Sequence, residues 1–411
     1  MIPLPIDEIA ALGLGELEAR VDTVGGVQVD SRRIEPGDLF VAVGRGVGFR
    51  DDALARGAGA TLVPARPFDA FAALSSLVRE RSNARVVGIT GSTGKTSTKD
   101  ILAALCAPAA RTVAAEASYN NEIGVPLTLC RLEPDTEVCI LELAMRGFGQ
   151  IADLCRIARP EIGVVTNVGP VHLELVGSLE GVLRAKGELI AALPPGGTAI
   201  VPEEFPVERD DVEVVRLSEQ AGEREDGRML IGGVSFNLTA QHHVANAAAA
   251  LSALDALGLP RPEHVDVGFS RWRGEEVPLP GGGLLVNDAY NANPDSMRAA
   301  LAHLATIAGD RRRVAVLGDM AELGPGAPAF HEEIGRELAR HGVEALIAVG
   351  ELARGYLEGA TGVPVKHWAP DAAAAVADAG SIVRPGDCVL VKASRVVGLE
   401  QVAEALAAVS A

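Results

Sequence analysis

At 411 residues the chain is longer than one compact core usually holds, so two or three domains are expected. Hydrophobic residues make up 48% but aromatics only 3%, an interior of Ala, Val, Leu and Ile that suits stacked layers of helix and sheet. Asp and Glu outnumber Lys and Arg by 55 to 37, and a formal charge of -18 argues against nucleic-acid binding, because neutralising phosphates needs a surplus of cations.

The opening stretch MIPLPIDEIAALGLGELE has no basic region ahead of an apolar run, and no charge-free apolar stretch is long enough to cross a bilayer. Cys106, Cys130, Cys139, Cys155 and Cys388 form no CxxC pair and sit in apolar settings. A cytoplasmic protein with reduced cysteines and no membrane insertion is therefore the expectation.

The first segment, 1–83, starts with a short helical pattern and continues as GGVQVDSRRIEPGDLFVAV, where Pro36-Gly37-Asp38 turns between extended runs. It reads as a small α/β module. From 84 to 270 the pattern alternates: strand 86–90, helix from about 95, strand 137–144, helix near 149–158, strand 162–168, helix around 179–192 and the strand GTAIVP. Strands separated by helices of this length predict βαβ units and a parallel sheet. The Ala-rich helix HVANAAAALSALDALG closes the segment. After the Gly- and Pro-rich stretch FSRWRGEEVPLPGGG the pattern restarts with LLVNDAY, RRVAVLGDM, EALIAVG and DCVLVKAS, so 271–411 reads as a doubly wound, Rossmann-like domain. The fold class is α/β in three domains.

One motif carries chemistry unaided. In Gly91-Ser92-Thr93-Gly94-Lys95-Thr96, between a strand and a helix, glycines let successive N–H groups point at phosphates and the helix N-terminus adds a favourable dipole. Lys95 supplies a positive charge for the terminal phosphates and Thr96 a hydroxyl for Mg²⁺. Position 89, where the usual phosphate loop has its first glycine, is Ile89. Three further polar positions fall where central strands should end: Glu142, His172 and Lys186. Strand ends share one edge of an open parallel sheet, so these groups could converge on the phosphates. Each also has an ordinary reading, as a solvated carboxylate, a core or surface histidine and an exposed helix lysine.

Taken in order, the motifs resemble the Mur ligases, the ATP-dependent amide-forming enzymes of peptidoglycan precursor synthesis. Their shortened loop, T-G-x-x-G-K-[ST], is matched by Thr90 to Thr96, which accounts for Ile89. The resemblance implies a central P-loop ATPase domain in which Gly91, Ser92, Thr93, Gly94, Lys95, Thr96 and Ser97 cradle ATP. It implies two Mg²⁺ ions, with Glu142 at the first and His172, in NVGPVH, at the second, together with Lys186 carried as a carbamate. Asn246 matches an adenine-contacting asparagine, although the usual H-N-x-x-N here reads H-H-x-x-N, with His243 in place of the first Asn. Arg273 and Asp288, the latter in DAYNANP, match residues that reach ATP from the third domain.

Within that family, NNEIGVPLTL, AKGE, NDAYNANPDSM, LGDMAELG and VLVKASR are of the type that adds D-alanyl-D-alanine to UDP-N-acetylmuramoyl-tripeptide, and the D-N-P-R signature of the diamino-acid branch is absent. The resemblance makes 1–83 a UDP-binding module with Ser31 and Arg32 near the uridine diphosphate. It makes Asn121, Tyr290, Asn293, Ser394 and Arg395 candidate substrate contacts, and the protein a monomer. The segment GVGFRDDAL lacks the family's frequent D-G-H. The rival reading is another ligase of the superfamily, for a different amino acid or of the folylpolyglutamate synthetase type.

Overall fold

The computed structural model describes residues 1–218 and 222–408. The chain packs into two compact units, one of residues 1–167, 185–237 and 244–268, the other of 168–184, 238–243 and 269–411.

At the centre of the first unit is a six-stranded, all-parallel sheet. Its spatial order is Glu213–Leu217, Thr198–Pro202, Ile162–Val165, Arg85–Thr90, Val138–Glu142 and Thr112–Ala114. The runs Arg85–Thr90 and Val138–Glu142 are buried along almost their whole length, as expected of strands covered on both faces. Chain order reverses direction at Arg85–Thr90, which has Ile162–Val165 on one side and Val138–Glu142 on the other. A crevice at the carboxyl ends there is where ligands of such sheets bind. Helix Lys95–Cys106 follows directly and buries Ile101, Leu102, Leu105 and Cys106. Each such aliphatic side chain contributes about 1.5–3 kcal/mol of burial, so the helix start is held by the core beneath it. Pro108, two residues past the last helical position, stops its continuation.

The same unit contains the N-terminal sheet, ordered Gly15–Ala19, Ala60–Pro64, Leu39–Val41 and Val27–Gln28, with only the first pair antiparallel. It also contains a four-stranded sheet, Glu223–Glu225, Arg228–Ile231, Val234–Phe236 and His264–Val265, which the sequence pattern does not predict. Its strands are two to four residues long, too short for an alternating pattern to register.

The second unit is built on a sheet ordered Glu275–Leu279, Gly283–Asp288, Cys388–Lys392, Arg313–Gly318, Val343–Val349 and Val365–Ala369. All neighbours are parallel except the first pair. Separate apolar clusters, one around Leu301, Leu317 and Leu346 and one around Val316, Ile347 and Val391, lie on its two faces, which makes it doubly wound. Glu275–Leu279 and Val365–Ala369 were not among the four expected strands, and both are edge strands with mostly exposed or half-buried residues.

All five cysteines are free and buried, and burial pushes the thiols of Cys106, Cys130, Cys139 and Cys155 up to about 12, which keeps them protonated and inert. Among the described residues no helix is long and apolar enough to cross a membrane.

Candidate active site

The loop that leaves the central strand at Thr90 is shaped by two glycines. Gly91 has φ +152°, and a Cβ there would come within 1.8 Å of the Thr166 hydroxyl oxygen. Gly94 has φ +78°, and its Cβ would come within 2.2 Å of Asn246 Oδ1. The backbone can take this path only without side chains at those positions, and Asn246 packs directly on the loop. Asn167 Oδ1 accepts the N–H of Ser92 at 3.1 Å and of Thr93 at 2.9 Å, while Thr166 Oγ1 donates to Thr93 O at 2.6 Å. Asn167 and Thr166 lie just past the strand Ile162–Val165, which ends three residues before the expected 168 so that these side chains can turn onto the loop.

Lys95 opens the helix and donates to Gly91 O at 2.7 Å. Thr96, 1% exposed, donates its hydroxyl hydrogen to Glu142 Oε2 at 2.7 Å, and Asn120 Nδ2 donates to Glu142 Oε1 at the same distance. Glu142 is the last residue of its strand and 1% exposed, so it is a buried carboxylate and not a solvated one. Ser97 is half-buried in the same first helical turn.

Lys186 lies on the helix Leu179–Ala191 and is 2% exposed. It shares the helical spacing of buried Val182, Ala185, Leu189 and Ile190, a signal legible in LEGVLRAKGELIA that places it inward. Burial, reinforced by the neighbouring Lys95 charge, holds its ammonium well below the usual lysine range.

Ser31 is buried at the start of a 3₁₀ turn and its bond to Asp52 helps to lower that carboxyl. Arg32 pairs with Asp30 through Nε at 2.9 Å and Nη2 at 2.7 Å, bonds that hold the Asp30 carboxyl at about 2. Asn121 Oδ1 accepts from Ile123 N at 3.2 Å and Gly124 N at 2.9 Å, which holds the turn that leads into the helix Gly124–Leu129.

In the second unit, His172 Nδ1 lies 2.5 Å from Glu322 Oε2. Both residues have left-handed backbones, φ +53° and +62°, conformations costly for non-glycine residues and concentrated at functional sites. The guanidinium of Arg273 stacks 4.0 Å from the centre of the Tyr290 ring. Asp288 ends its strand and accepts from buried Lys392 Nζ at 2.6 Å. Asn293 caps the helix Pro294–Ile307 reciprocally with Ser296. Ser394, 4% exposed, accepts from Ala321 N at 2.9 Å and donates to Ala292 O. Arg395 pairs with Glu400 at 2.5 Å and lies 4.6 Å from the centre of the Trp272 ring.

The loop, Lys95, Thr96, Glu142, Lys186 and Asn246 are thus found in one unit, and His172, Arg273, Tyr290, Asp288, Asn293, Ser394 and Arg395 in the other. Sequence reasoning missed Asn120, Asn167, Glu322 and Lys392. Each lies in a motif of the sequence, Asn120 in NNEIGVPLTL, Asn167 in NVGPVH, Glu322 in LGDMAELG and Lys392 in VLVKASR, and only their partners in space reveal them.

Among the described residues no three His, Cys, Asp or Glu side chains gather as a metal site. Thr96 and Glu142 nevertheless fit Mg²⁺, which takes hard oxygen ligands and is usually bound by one or two protein groups together with substrate phosphates. The loop, which side chains would fill, fits those phosphates.

Residues 89–254 match the Mur ligase middle domain and residues 272–395 the Mur ligase glutamate ligase domain. The "UDP-N-acetylmuramoyl-tripeptide--D-alanyl-D-alanine ligase" of Mycobacterium tuberculosis is 36% identical, covering 99% of this chain and 98% of the relative. A crystal structure of MurF from Acinetobacter baumannii superimposes with a TM-score of 0.82 at 26% identity, covering 99% of each chain. MurF ligase from Thermotoga maritima in complex with ADP gives 0.77 at 26% identity, covering 93% of this chain and 97% of that one. The chain belongs to the Mur ligase family, in the branch of the UDP-N-acetylmuramoyl-tripeptide–D-alanyl-D-alanine ligases.

Proposed function

We propose that this protein uses ATP to join the terminal carboxylate of UDP-N-acetylmuramoyl-tripeptide to the amine of D-alanyl-D-alanine, a step of peptidoglycan precursor synthesis. The observation that carries this reading is end-to-end likeness to ligases of that name, N-terminal segment included, in a chain whose phosphate loop ends on a buried Thr96–Glu142 pair.

A carboxylate is a poor electrophile in water. Its oxygen attacks the γ-phosphorus of ATP, the bond to ADP breaks, and an acyl phosphate forms. The dipeptide amine attacks the acyl carbon, the carbon–oxygen bond to phosphate breaks, and the amine proton is lost. The first step brings two anions together, so the residues act chiefly through charge. The loop N–H groups and Lys95 hold the phosphates, and Asn246, which packs on Gly94, contacts the adenine in this reading. Thr96 and Glu142 would hold one Mg²⁺, and His172 and a carbamylated Lys186 serve a second. Bound Mg²⁺ would polarise phosphoryl oxygens and offset their charge.

Arg273 and Asp288 act on ATP, Ser31 and Arg32 on the uridine diphosphate, and Tyr290, Ser394 and Arg395 on the peptide substrates. Asn121, in the turn before the helix Gly124–Leu129, and Asn293, at the start of the helix Pro294–Ile307, serve the substrates from those positions. In this reading 1–83 holds the UDP handle, 84–270 holds ATP and 271–411 the incoming dipeptide. The protein works as a monomer in the cytoplasm, without nucleic acid.

Labelling the tripeptide's terminal carboxylate with ¹⁸O tests the route. One labelled oxygen should appear in each released phosphate. Unlabelled phosphate would mean a route without an acyl phosphate, and turnover with glutamate in place of the dipeptide would support the folylpolyglutamate synthetase-like rival.

A further inference from the structure

The helix that begins the phosphate site carries a second lysine one turn further on. Lys99 is 2% exposed, and its Nζ donates to Ala115 O at 2.7 Å and to Ala117 O at 3.0 Å, with Asp100 Oδ1 at 2.8 Å. A buried ammonium is costly unless its donors are matched, and here two matching acceptors are backbone carbonyls of one irregular strap.

That strap runs from the edge strand Thr112–Ala114 to the helix Gly124–Leu129 and is tied at one end to the neighbouring strand Val138–Glu142 and at the other to the segment just past it. Ala115 N donates to Ile140 O at 3.0 Å, and Ala144 N to Asn120 O at 2.9 Å. Between these points Ala117 has φ +46°, a left-handed conformation disfavoured for alanine that something must hold. The strap delivers Asn120 Nδ2 to Glu142 Oε1 and Ser118 Oγ to within 3.4 Å of Thr96 Oγ1. The contacts form a ring: helix residue Thr96 to Glu142, Glu142 to Asn120, Asn120 along the strap to Ala117, and Ala117 back to Lys99 on the same helix.

We propose that Lys99 is a positioning residue for the ligation reaction: by clamping Ala115 and Ala117 it fixes Asn120, and through Asn120 it fixes the orientation of the Glu142 carboxylate toward the metal and phosphates. Lys99 touches no substrate. The inference rests on the reading of Thr96 and Glu142 as the nucleotide and Mg²⁺ site. Groups that orient a metal-binding side chain influence affinity about 10- to 100-fold, so the effect is large enough to measure.

The test is a double-mutant cycle on Mn²⁺ binding to the full chain in the presence of ADP, read from the free-ion electron paramagnetic resonance signal. Lys99→Met and Asn120→Ala should each weaken Mn²⁺ about tenfold, at the lower end of that range. Because both act through Glu142, the double variant should be little worse than either single one. Metal-free ADP affinity should stay near the wild-type value in all three, and Lys99→Arg, which can still donate to both carbonyls, should retain most of the Mn²⁺ affinity. Wild-type Mn²⁺ affinity in Lys99→Met, or single effects that multiply in the double variant, would overturn the proposal. No Mn²⁺ binding by the wild-type protein with ADP would instead overturn the site reading and the proposal with it.

Hydrogen exchange of the wild-type protein covers the case in which Lys99→Met does not fold. The Ala115 amide and its strap neighbours should be equally protected with and without Mn²⁺ and ADP. A strap that becomes protected only on binding would contradict a clamp already in place.

Discussion

The hydroxyl of Thr96 donates to Oε2 of Glu142 across 2.7 Å, joining the first turn of the phosphate-loop helix to the end of the adjacent strand. Both side chains are buried, and Glu142 is the last residue of its strand. Glu142→Gln keeps the shape and removes the charge, and Lys95→Ala removes the cation at the phosphates. Each should lower kcat by about 10²–10³-fold, the scale for loss of one preorganised electrostatic group. Steady-state kinetics checks this, with circular dichroism melting to confirm the fold. Near-normal turnover in either variant contradicts the site.

Lys186 should be carbamylated in the working enzyme. Its depressed proton affinity favours the neutral amine, the form that takes up carbon dioxide, and the product is a carboxylate that a cation would attract. Lys186→Ala should lose activity and regain part of it with added short carboxylates, and bicarbonate depletion should slow the wild-type enzyme. Full activity in Lys186→Ala or Lys186→Arg rules the carbamate out.

The same group sets a pH dependence of stability in bicarbonate-free buffer. Its folded-state pKa lies below the unfolded value, so between the two the unfolded chain binds more protons and stability rises with pH. Lys186→Met should therefore stabilise the protein most below the folded pKa, with the gain shrinking as pH climbs toward the unfolded lysine range. Urea titrations at several pH values check the sign. A gain that grows with pH contradicts it.

Asp288 and Lys392 are an unequal pair, the lysine side chain 2% exposed and the aspartate 22%. Removing Asp288 leaves an ammonium that water reaches poorly, whereas removing Lys392 leaves a carboxylate that water reaches more readily. Asp288→Ala should therefore cost about 3 kcal/mol or more in urea unfolding, and Lys392→Met less, about 1–2 kcal/mol. The reverse order would mean that the aspartate is the more dependent partner.

Arg395 should contact the carboxylate of the incoming dipeptide. Losing a hydrogen bond to a charged group costs about 1.5–3 kcal/mol, so Arg395→Ala should raise KM for D-alanyl-D-alanine by roughly 10- to 100-fold with KM for ATP unchanged. An unchanged dipeptide KM removes Arg395 from the acceptor site.

Long buried strands made most of the architecture legible in the sequence. Arg85–Thr90, Val138–Glu142, Arg313–Gly318 and Val343–Val349 are largely apolar, buried runs, and their spacing from helices implied parallel sheets. The sheet from Glu223 to Val265 and the edge strand Glu275–Leu279 were not legible, because short or half-exposed strands leave no clear period.

At the site, Gly91 to Thr96 was legible because that chemistry is local and contiguous. Asn120 and Lys99 were not, although each lies in or beside a recognised motif, since their partners, Glu142 and the carbonyls of Ala115 and Ala117, are 22, 16 and 18 positions away. Lys186 lies between these cases. Its residue type suggested an exposed lysine, and its helical spacing already placed it on the buried face.

Phosphate release measured with UDP-N-acetylmuramoyl-tripeptide, ATP and Mg²⁺, with each candidate amine added in turn, tests the central claim most directly. The account predicts ADP and phosphate in equal amounts, dependent on both the tripeptide substrate and D-alanyl-D-alanine, with little release for single amino acids or when either substrate is omitted. Release that follows glutamate or a diamino acid, or that ignores D-alanyl-D-alanine, would contradict it.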